Sequence, residues 1–215
     1  MVTASRYEWV RIPQPSLTRL SEAELRLAPN VGDDPLRTFA RLPGMAGSDI
    51  SAKLHIRGGV ADEVLVRFDG LRLMNPFHLK DFQSIFSAID PALIGAVDIY
   101  TGGFPVSFGD RMSGVVDIHA VRADAAARRE IAVSLYNASA LATGRFDRGR
   151  GDWTLSARRG NLDRVLDWSG MDLGEPAYSD IHAHVSRRIG DSMALSGNLL
   201  DRKSTRLNSS HRTGS

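Results

Sequence analysis

Acids and histidines are the side chains of this sequence whose spacing could support chemistry. None of its 215 residues is a cysteine. That absence removes disulfides, thiol catalysis and cysteine-based zinc sites from consideration. Asp62, Glu63 and Asp69 are acidic neighbours, but no serine or histidine stands with them in a recognisable catalytic pattern. His182 and His184 would share a face on a strand, which is more often a polar wall than a metal site. The sequence therefore predicts no catalytic residue, no metal site and no cofactor, and we do not expect an enzyme.

The net charge of +2 does not indicate a nucleic-acid partner. Residues 201–215 hold four basic side chains against one acidic side chain, a net of +3, which leaves −1 for residues 1–200. Residues 201–211 read Asp-Arg-Lys-Ser-Thr-Arg-Leu-Asn-Ser-Ser-His, which resembles the in-frame translation of a common sequencing-library adapter. We expect residues 201–215 to be an adapter-derived tail and the natural protein to continue past about Leu200. The alternative is a genuine basic, serine-rich disordered tail.

The elements that must position these side chains change character along the chain. Ser21, followed by acids at 22 and 24, predicts a helix N-terminus, and Asp34 followed by Pro35 predicts a second short helix over residues 34–42. Apolar residues spaced by three, one and three predict a helix over residues 82–89. Alternating or β-branched segments predict strands at residues 53–57, 63–68, 71–73, 97–100 and 114–119.

The second half of the chain has a different period. Five segments of about eight to twelve residues alternate in character, at residues 130–137, 138–146, 153–159, 178–189 and 193–200. Short turns at 147–151 and 190–192 and a longer connection at 161–177 join them. This is the pattern of a transmembrane barrel wall, although a soluble sandwich has a similar periodicity. Thr143, Ser156 and His182 fall where inward-facing polar positions are expected, as does Ser134.

An ordered set of motifs in the first half resembles one family. The set consists of Leu-Pro-Gly at 42–44, Leu-His-Ile-Arg-Gly-Gly at 54–59, the segment 62–70 ending in Phe-Asp-Gly, Asn-Pro-Phe-His at 75–78, the segment 97–105 containing Tyr-Thr-Gly-Gly-Phe-Pro, and the segment 108–118. No single tripeptide among them is specific. Together, nearly continuous from about Leu36 to Ile118, they resemble the plug of TonB-dependent outer-membrane receptors.

The resemblance implies a fold and a domain layout. We expect an α+β plug domain, with a small mixed sheet and short helices, followed by an incomplete antiparallel transmembrane β-barrel. The expected boundaries are an unassigned N-terminal segment at 1–14, the plug at 15–122, a linker at 123–129, partial barrel strands at 130–200 and the tail at 201–215. A TonB-contact segment and a secretory signal are not recognisable in residues 1–13, and we expect the signal peptide to be missing from this chain.

The resemblance also implies two sets of site residues. The ligand-facing plug loops would be formed by Met45, Ala46, Gly47, Ser48, Asp49, Asn75, Phe77 and His78. For the aromatic ring at 77, a buried hydrophobic anchor is an equally good interpretation. The plug motif and its contacts with the barrel would involve Arg57, Gly58, Gly59, Arg67, Asp69, Gly70, Gly102, Gly103 and Arg111. Plug arginines of the Ile-Arg-Gly type are expected to pair with acids on the barrel wall, mostly on strands that this chain lacks.

The function implied by the resemblance is active transport. Such a receptor binds a scarce extracellular ligand, such as a siderophore, cobalamin or a carbohydrate, and imports it to the periplasm. Its partners would be TonB with the inner-membrane ExbB and ExbD complex, the ligand, and the lipid of the Gram-negative outer membrane, with no nucleic acid. Energy would come from the inner membrane, and the nucleotide-binding glycine patterns are absent. The alternative is a plug-like ligand-binding or signalling module without transport activity.

Overall fold

The computed structural model describes residues 16–28, 34–48, 51–79, 84–109, 111–123, 126–169, 176–190 and 193–204. These residues form an N-terminal domain, residues 16–123, and a C-terminal sheet, residues 128–204. The predictions for residues 1–13 and for Asp49 lie outside the described residues. In the described part of the chain, no helix is long and apolar enough to cross a membrane.

Both helix starts predicted for the N-terminal domain are confirmed. Helix α1 (Glu22–Leu27) begins at a capping box, in which Ser21 donates its backbone N–H to the Glu24 carboxylate over 2.7 Å. Helix α2 (Pro35–Phe39) begins at Asp34, whose carboxylate accepts the Leu36 N–H at 2.9 Å. Helix α2 ends three residues earlier than predicted, because its last turn tightens into i to i+3 hydrogen bonds before a glycine turn.

The N-terminal domain contains nine described strands. In chain order they are β1 (Leu17–Ser21), β2 (Met45–Gly47), β3 (Leu54–Ile56), β4 (Val64–Phe68), β5 (Leu71–Leu73), β6 (Phe77–His78), β7 (Phe86–Ser87), β8 (Ile94–Tyr100) and β9 (Gly114–Ala120). Five of them form a sheet in the order β1-β8-β9-β4-β5, in which only the β4–β9 pair is parallel. The predicted small mixed sheet with short helices is therefore confirmed.

Strand alternation places the main core on one face of this sheet. Phe68, Val97 and Ile118 point to that face and pack with α2 and β3. Their neighbours in sequence point to the other face, where a smaller apolar cluster forms around Val115. The β4–β5 hairpin closes through Asp69 and Gly70, both at positive φ (48° and 81°), as a two-residue hairpin turn of this twist requires.

The helix predicted over residues 82–89 is wrong. The described part of that segment contains β7, which pairs antiparallel with β6. Side chains of α2 and its cap hold the segment extended: Asp34 accepts the Ser87 N–H, and Arg37 donates to the Ile85 carbonyl at 2.6 Å. These partners replace the hydrogen bonds that a helix would have supplied internally.

The C-terminal sheet is a simple up-and-down arrangement. Its strands are β10 (Arg128–Val133), β11 (Asn137–Phe146), β12 (Gly151–Gly160), β13 (Tyr178–Ile189) and β14 (Met193–Ser204), each antiparallel to the next. Five strands are present as predicted and β13 has the predicted bounds, but the first ends at Val133 and not at residue 137, which begins β11. Ser134, predicted on an inward-facing strand position, lies in the connection between these two strands. Strand β10 begins inside the predicted linker, and β14 runs four residues into the predicted tail, which itself stays a prediction. The long connection contains a helix that was not predicted, α3 (Leu162–Ser169).

The two faces of the C-terminal sheet differ in polarity. Alternate residues of β12 facing the N-terminal domain are Thr154, Ser156 and Arg158, all buried. The residues facing away are apolar and exposed, for example Leu155 at 48 % and Ile181 at 46 % of their surface. In the described chain the sheet does not close, since β10 and β14 each have one unpaired edge. We call the side with the β11–β12 and β13–β14 turns the turn end, and the opposite side, with the connection before β13, the loop end.

We predict that this chain aggregates in water and disperses in detergent. The outward apolar face and the two open edges have no partner in water, and both features promote association. Size-exclusion chromatography with light scattering should show high-mass species in buffer and a monodisperse species in a mild detergent. A soluble, monomeric chain that melts cooperatively without detergent would contradict the prediction.

Candidate functional site between the domain and the sheet

A buried arginine on the sheet holds the N-terminal domain by its backbone. The Arg158 side chain, only 2 % exposed, donates to the carbonyls of Ser87 at 2.7 Å and Ile89 at 3.1 Å. It also donates from Nε and Nη2 to the Asp180 carboxylate on β13, at 2.9 and 2.5 Å. We call this set of contacts the Arg158 latch. A buried guanidinium needs such full pairing, because an uncompensated charge away from water is strongly destabilising.

The acid of the latch reaches the N-terminal domain as well. The other oxygen of Asp180 lies 2.5 Å from Nε2 of His78, and both side chains are buried. The His78 ring stacks on Tyr178, with ring centroids 4.7 Å apart and planes 22° apart. The Arg158 guanidinium lies 5.2 Å from the centre of the same tyrosine ring. The latch is therefore one polar and aromatic cluster that joins β12 and β13 to β6 and β7.

Two further hydrogen bonds join the sheet to the N-terminal domain, closer to the turn end. Thr154 donates its hydroxyl to the Val121 carbonyl at 3.0 Å, and Arg145 donates to the Ala123 carbonyl at 3.1 Å. In each case a sheet side chain binds a domain backbone carbonyl. The docking therefore depends on side chains of the sheet and on the path of the domain backbone.

Two buried acids of the N-terminal domain lie near the latch. Burial raises the pKa of Asp34, against the opposing hydrogen bond from the Ser87 N–H and the charge of Arg158. Burial also raises the pKa of Asp90, against the charge of Arg158 and the Ala92 N–H. The single guanidinium therefore lies among three carboxyl groups, of which the nearest, on Asp180, is its direct partner.

A second polar cluster crosses the opposite face of the domain sheet. Arg19 on β1 makes two hydrogen bonds to Asp98 on β8, at 2.6 and 2.8 Å. His119 on β9 approaches the same carboxylate at 3.7 Å. Burial disfavours the charged carboxylate, but hydrogen bonds from His119 and Arg19 outweigh it and lower the pKa of Asp98 to about 2. The hydrogen bond to Asp98 in turn raises the pKa of His119.

The predicted ligand-facing residues do not all lie at an exposed surface. The exposed ones are at the β2–β3 tip, where Ala46, Gly47 and Ser48 face solvent, while Met45 is half-buried against the core. Among the rest, Asn75 is half-buried, Phe77 packs on the main core, and His78 is buried in the latch. In this structure the Nε2 of His78 lies 2.5 Å from Asp180, and a ligand contact by the His78 ring stays a prediction. The tip stays a predicted ligand contact.

The predicted motif charges find partners mainly inside the N-terminal domain. Arg67 lies 3.7 Å from Asp117 and over the Phe108 ring, and Arg111 donates to the Asp62 carbonyl at 2.8 Å. Arg57 is exposed and packs over Gly102, where a Cβ would lie 2.7 Å from its guanidinium. The other motif glycines lie in turns, at Gly58, Gly59, Gly70 and Gly103.

Asp69 is the motif charge that approaches the C-terminal sheet. It accepts the Ala120 N–H at 2.8 Å and pairs with Arg122 at 3.0 Å, and His182 of β13 lies 4.0 Å away. Pairing of the motif arginines with wall acids on other strands stays a prediction. In the described strands the buried Arg158 pairs with an acid of its own sheet, Asp180, and donates to backbone carbonyls of the N-terminal domain.

Sequence reasoning missed the latch pair Arg158 and Asp180. A usable signal existed, because Ser156 and His182 were assigned to the inward face and each latch residue lies two positions from one of them. Within the described residues, no group of three or more histidine, aspartate or glutamate side chains is placed to hold a metal ion. The contacts of this interface join the N-terminal domain to the C-terminal sheet, and their geometry suits a structural role, which is to hold the two together.

Residues 15–116 match the family model of the TonB-dependent receptor plug domain. No curated protein matches the chain.

Three solved structures share the fold. The outer membrane transporter YddB from Escherichia coli is 12 % identical with a TM-score of 0.59, over 88 % of this chain and 33 % of that one. The ferric enterobactin receptor PfeA from Pseudomonas aeruginosa is 13 % identical with a TM-score of 0.56, over 85 % and 33 %. The ferric yersiniabactin uptake receptor FyuA from Yersinia pestis is 18 % identical with a TM-score of 0.53, over 80 % and 28 %. The chain therefore spans about a third of the length of these structures.

We predict that Arg158→Ala destabilises the folded protein by about 3–5 kcal/mol, because it leaves the buried Asp180 carboxylate without its cationic partner and two carbonyls without their donor. The neighbouring Arg159→Ala is the matched control, because Arg159 pairs with Asp163 at the surface and its loss should cost below about 1 kcal/mol. Denaturant unfolding in detergent micelles measures both values. Equal destabilisation by the two variants would show that the latch does not stabilise the docked state.

We predict that the Asp98–His119 contact stabilises the fold over a limited pH range. The depressed pKa of Asp98 gives stability that is present above its ordinary value of 3.8 and is lost as the pH falls towards 2. The raised pKa of His119 gives stability that is fully present below 6.5 and is lost as the pH rises through the folded value.

The stability difference between the parent and Asp98→Asn should therefore be largest between about pH 4 and 6.5. Unfolding curves at several pH values measure it, with His119→Gln as a control that removes the decline at high pH and keeps the part of the low-pH decline that Arg19 supplies. A difference that does not vary with pH would refute this assignment.

Proposed function

We propose a role in ligand import for this chain, whose residues 15–116 match the TonB-dependent receptor plug domain. An unclosed antiparallel sheet follows this domain, and the two parts together share the fold of about a third of such receptors. The receptor to which it belongs binds a scarce extracellular ligand and carries it to the periplasm, with energy relayed by TonB from the ExbB and ExbD complex. Its location is the outer membrane of a Gram-negative bacterium. The chain covers about a third of the related structures, so this proposal concerns the whole receptor.

The Arg158 latch is the observation that supports this proposal best. The C-terminal sheet presents its polar face to the plug and its apolar face outwards, as a barrel wall does between a filled lumen and lipid. The latch then holds a folded domain against the inner side of that wall. A domain held in this way obstructs the lumen, so transport requires that part of it moves.

The lengths of the connections support an orientation. Barrel walls of this kind have short periplasmic turns and longer extracellular loops, so the loop end would face outwards. His78 stacks on Tyr178, the first residue of β13 after the long connection, which places β6 at the loop end. A ligand arriving from outside would meet this side of the plug, where we propose that Asn75 and the β2–β3 tip contribute to recognition.

The ligand class is proposed from the solved structures. Two of them are named as receptors for ferric enterobactin and ferric yersiniabactin, both iron chelates. Ferric siderophores are therefore the first ligands to test, followed by cobalamin and carbohydrates.

We predict that cells producing the full-length receptor accumulate one of these ligands only when TonB is present. Radiolabelled ferric enterobactin and ferric yersiniabactin are the first probes, in matched strains with and without TonB. Accumulation that is equal in the two strains would contradict energised import, and binding without accumulation would favour the ligand-binding or signalling module.

For a ligand that binds, Ala46→Trp at the exposed tip should weaken binding by about tenfold, because a bulky ring would occupy the proposed contact surface. Ser107→Trp, also exposed but on the turn between β8 and β9, is the control and should leave the affinity unchanged. An equal effect of the two substitutions would remove the tip from the recognition site.

A further inference from the structure

The carboxyl group of Asp90 is a polar contact between the plug and the wall beside the Arg158 latch. Only 5 % of the Asp90 surface is exposed. Its Oδ1 accepts the Ala92 N–H at 3.0 Å. Its Oδ2 lies 3.4 Å from the hydroxyl of Ser156 on β12, and Ser139 on β11 also contacts the carboxyl. One oxygen of Asp90 therefore faces the plug backbone, and the other faces a hydroxyl group of the wall.

The other two acids of this cluster have partners of a different kind. Both oxygens of Asp34 accept backbone N–H groups, Oδ1 that of Leu36 at 2.9 Å and Oδ2 that of Ser87. The Asp180 carboxylate lies against the Arg158 guanidinium, 2.5 Å from Nη2. A backbone N–H and a guanidinium can only donate hydrogen bonds, so each of them favours an ionised carboxylate over a protonated one.

A hydroxyl group can accept a hydrogen bond as well as donate one. A protonated Asp90 can therefore donate from Oδ2 to Ser156 while its Oδ1 keeps the Ala92 N–H. An ionised Asp90 would be a buried negative charge, and the cation that acts on it most, Arg158, is already paired with Asp180. Since a buried charge without its own counterion is costly, the geometry favours the protonated form.

The charged groups around Asp90 act in the same direction on balance. Burial raises the pKa of Asp90 and the Asp180 charge raises it further, against the charge of Arg158 and the hydrogen bond from Ala92. The other titratable or charged groups near the cluster are Asp34, Arg37, His78 and Tyr178, and, in the groove between the plug and β10, Glu22, Arg26 and Glu130. The three in the groove pair with one another or with Arg128.

We propose that Asp90 is a proton-dependent contact between the plug and the wall, in which the protonated carboxyl donates to the Ser156 hydroxyl. When Asp90 gives its proton to water, the wall hydroxyl faces a buried charge and docking weakens. The plug should therefore be held most firmly in acid. This contact is independent of the proposed function, because it concerns how firmly the plug is docked and not what the receptor carries.

The direction of the pH dependence follows from the raised pKa of Asp90. A carboxyl whose pKa is higher in the folded than in the unfolded chain stabilises the folded form fully below its ordinary value, 3.8 for aspartate. That contribution falls by about tenfold in the unfolding constant per pH unit as the pH rises from 3.8 to the folded value. Above the folded value the contribution is lost.

Infrared spectroscopy of the chain in detergent micelles tests whether Asp90 holds a proton, because a protonated carboxyl and a carboxylate absorb at different frequencies. We expect a protonated-carboxyl band that persists above pH 3.8 and is lost in Asp90→Asn. Asp62→Asn removes an exposed carboxyl of the same domain and should keep the band. A band that survives in Asp90→Asn, or that is present only below pH 3.8, would overturn the proposal.

Unfolding at several pH values measures the effect on stability. Asp90→Asn resembles the protonated side chain and keeps an acceptor for the Ala92 N–H, so it should fold at each pH. The unfolding constant of the parent, divided by that of Asp90→Asn, should rise by about tenfold per pH unit above 3.8 and then level off. The same ratio for Asp62→Asn should vary far less, because water solvates that side chain. A ratio for Asp90→Asn that is constant with pH would contradict the proposal.

A double-mutant cycle between Asp90→Asn and Ser156→Ala assigns the effect to docking, since one residue belongs to the plug and the other to the wall. If the two side chains contact each other in the docked state, their effects on the unfolding constant should depart from additivity by at least about twofold. Strictly additive effects would show that Asp90 acts within the plug alone and would refute a contact across the interface.

Discussion

The burial of one guanidinium constrains much of this structure. Arg158 lies directly opposite Asp180 in the β12–β13 register, so the wall alone supplies the charge partner. The remaining donors need acceptors, and the carbonyls of residues 87 and 89 supply them. That requirement determines the path of the plug segment next to the wall. The same segment is held from its other side by Asp34, which also caps α2, so the latch connects the barrel wall to the plug core.

Two strengths of attachment follow from differences in solvent exposure. Contacts made by Arg158 and Thr154 are cut off from water, so breaking one of them leaves buried polar groups without partners. Two ion pairs join α1 to β10, Arg26 with Glu130 and Arg128 with Glu22, and in the described chain they remain in contact with water, which replaces a lost partner at little cost. The plug is therefore attached firmly along residues 87–121 and loosely at its beginning.

Predictions from the sequence succeeded where the determining interactions are local. The Ser21 and Asp34 caps, the turn at Asp69 and Gly70, and the alternation of the barrel strands each depend on residues within a few positions of one another. The helix predicted over residues 82–89 failed because its apolar spacing is also compatible with an extended segment. The hydrogen bond from Ser87 to Asp34, a residue 53 positions away, selected the extended form. Helix α3 was missed because its residues were assigned to a connecting loop.

The sequence by itself determined the resemblance of the first half to a plug domain, the order of plug and wall, and which residues of each strand share a face. Those properties follow from motif order and from the two-residue period of a strand, which are visible in one dimension. Only the tertiary structure decided which charges meet. The latch contacts between plug and wall join residues about 70 to 100 positions apart, such as Ser87 with Arg158 and His78 with Asp180. Each acid had several candidate partners in the sequence, and burial of the interface selected the one that leaves no charge unpaired in the latch.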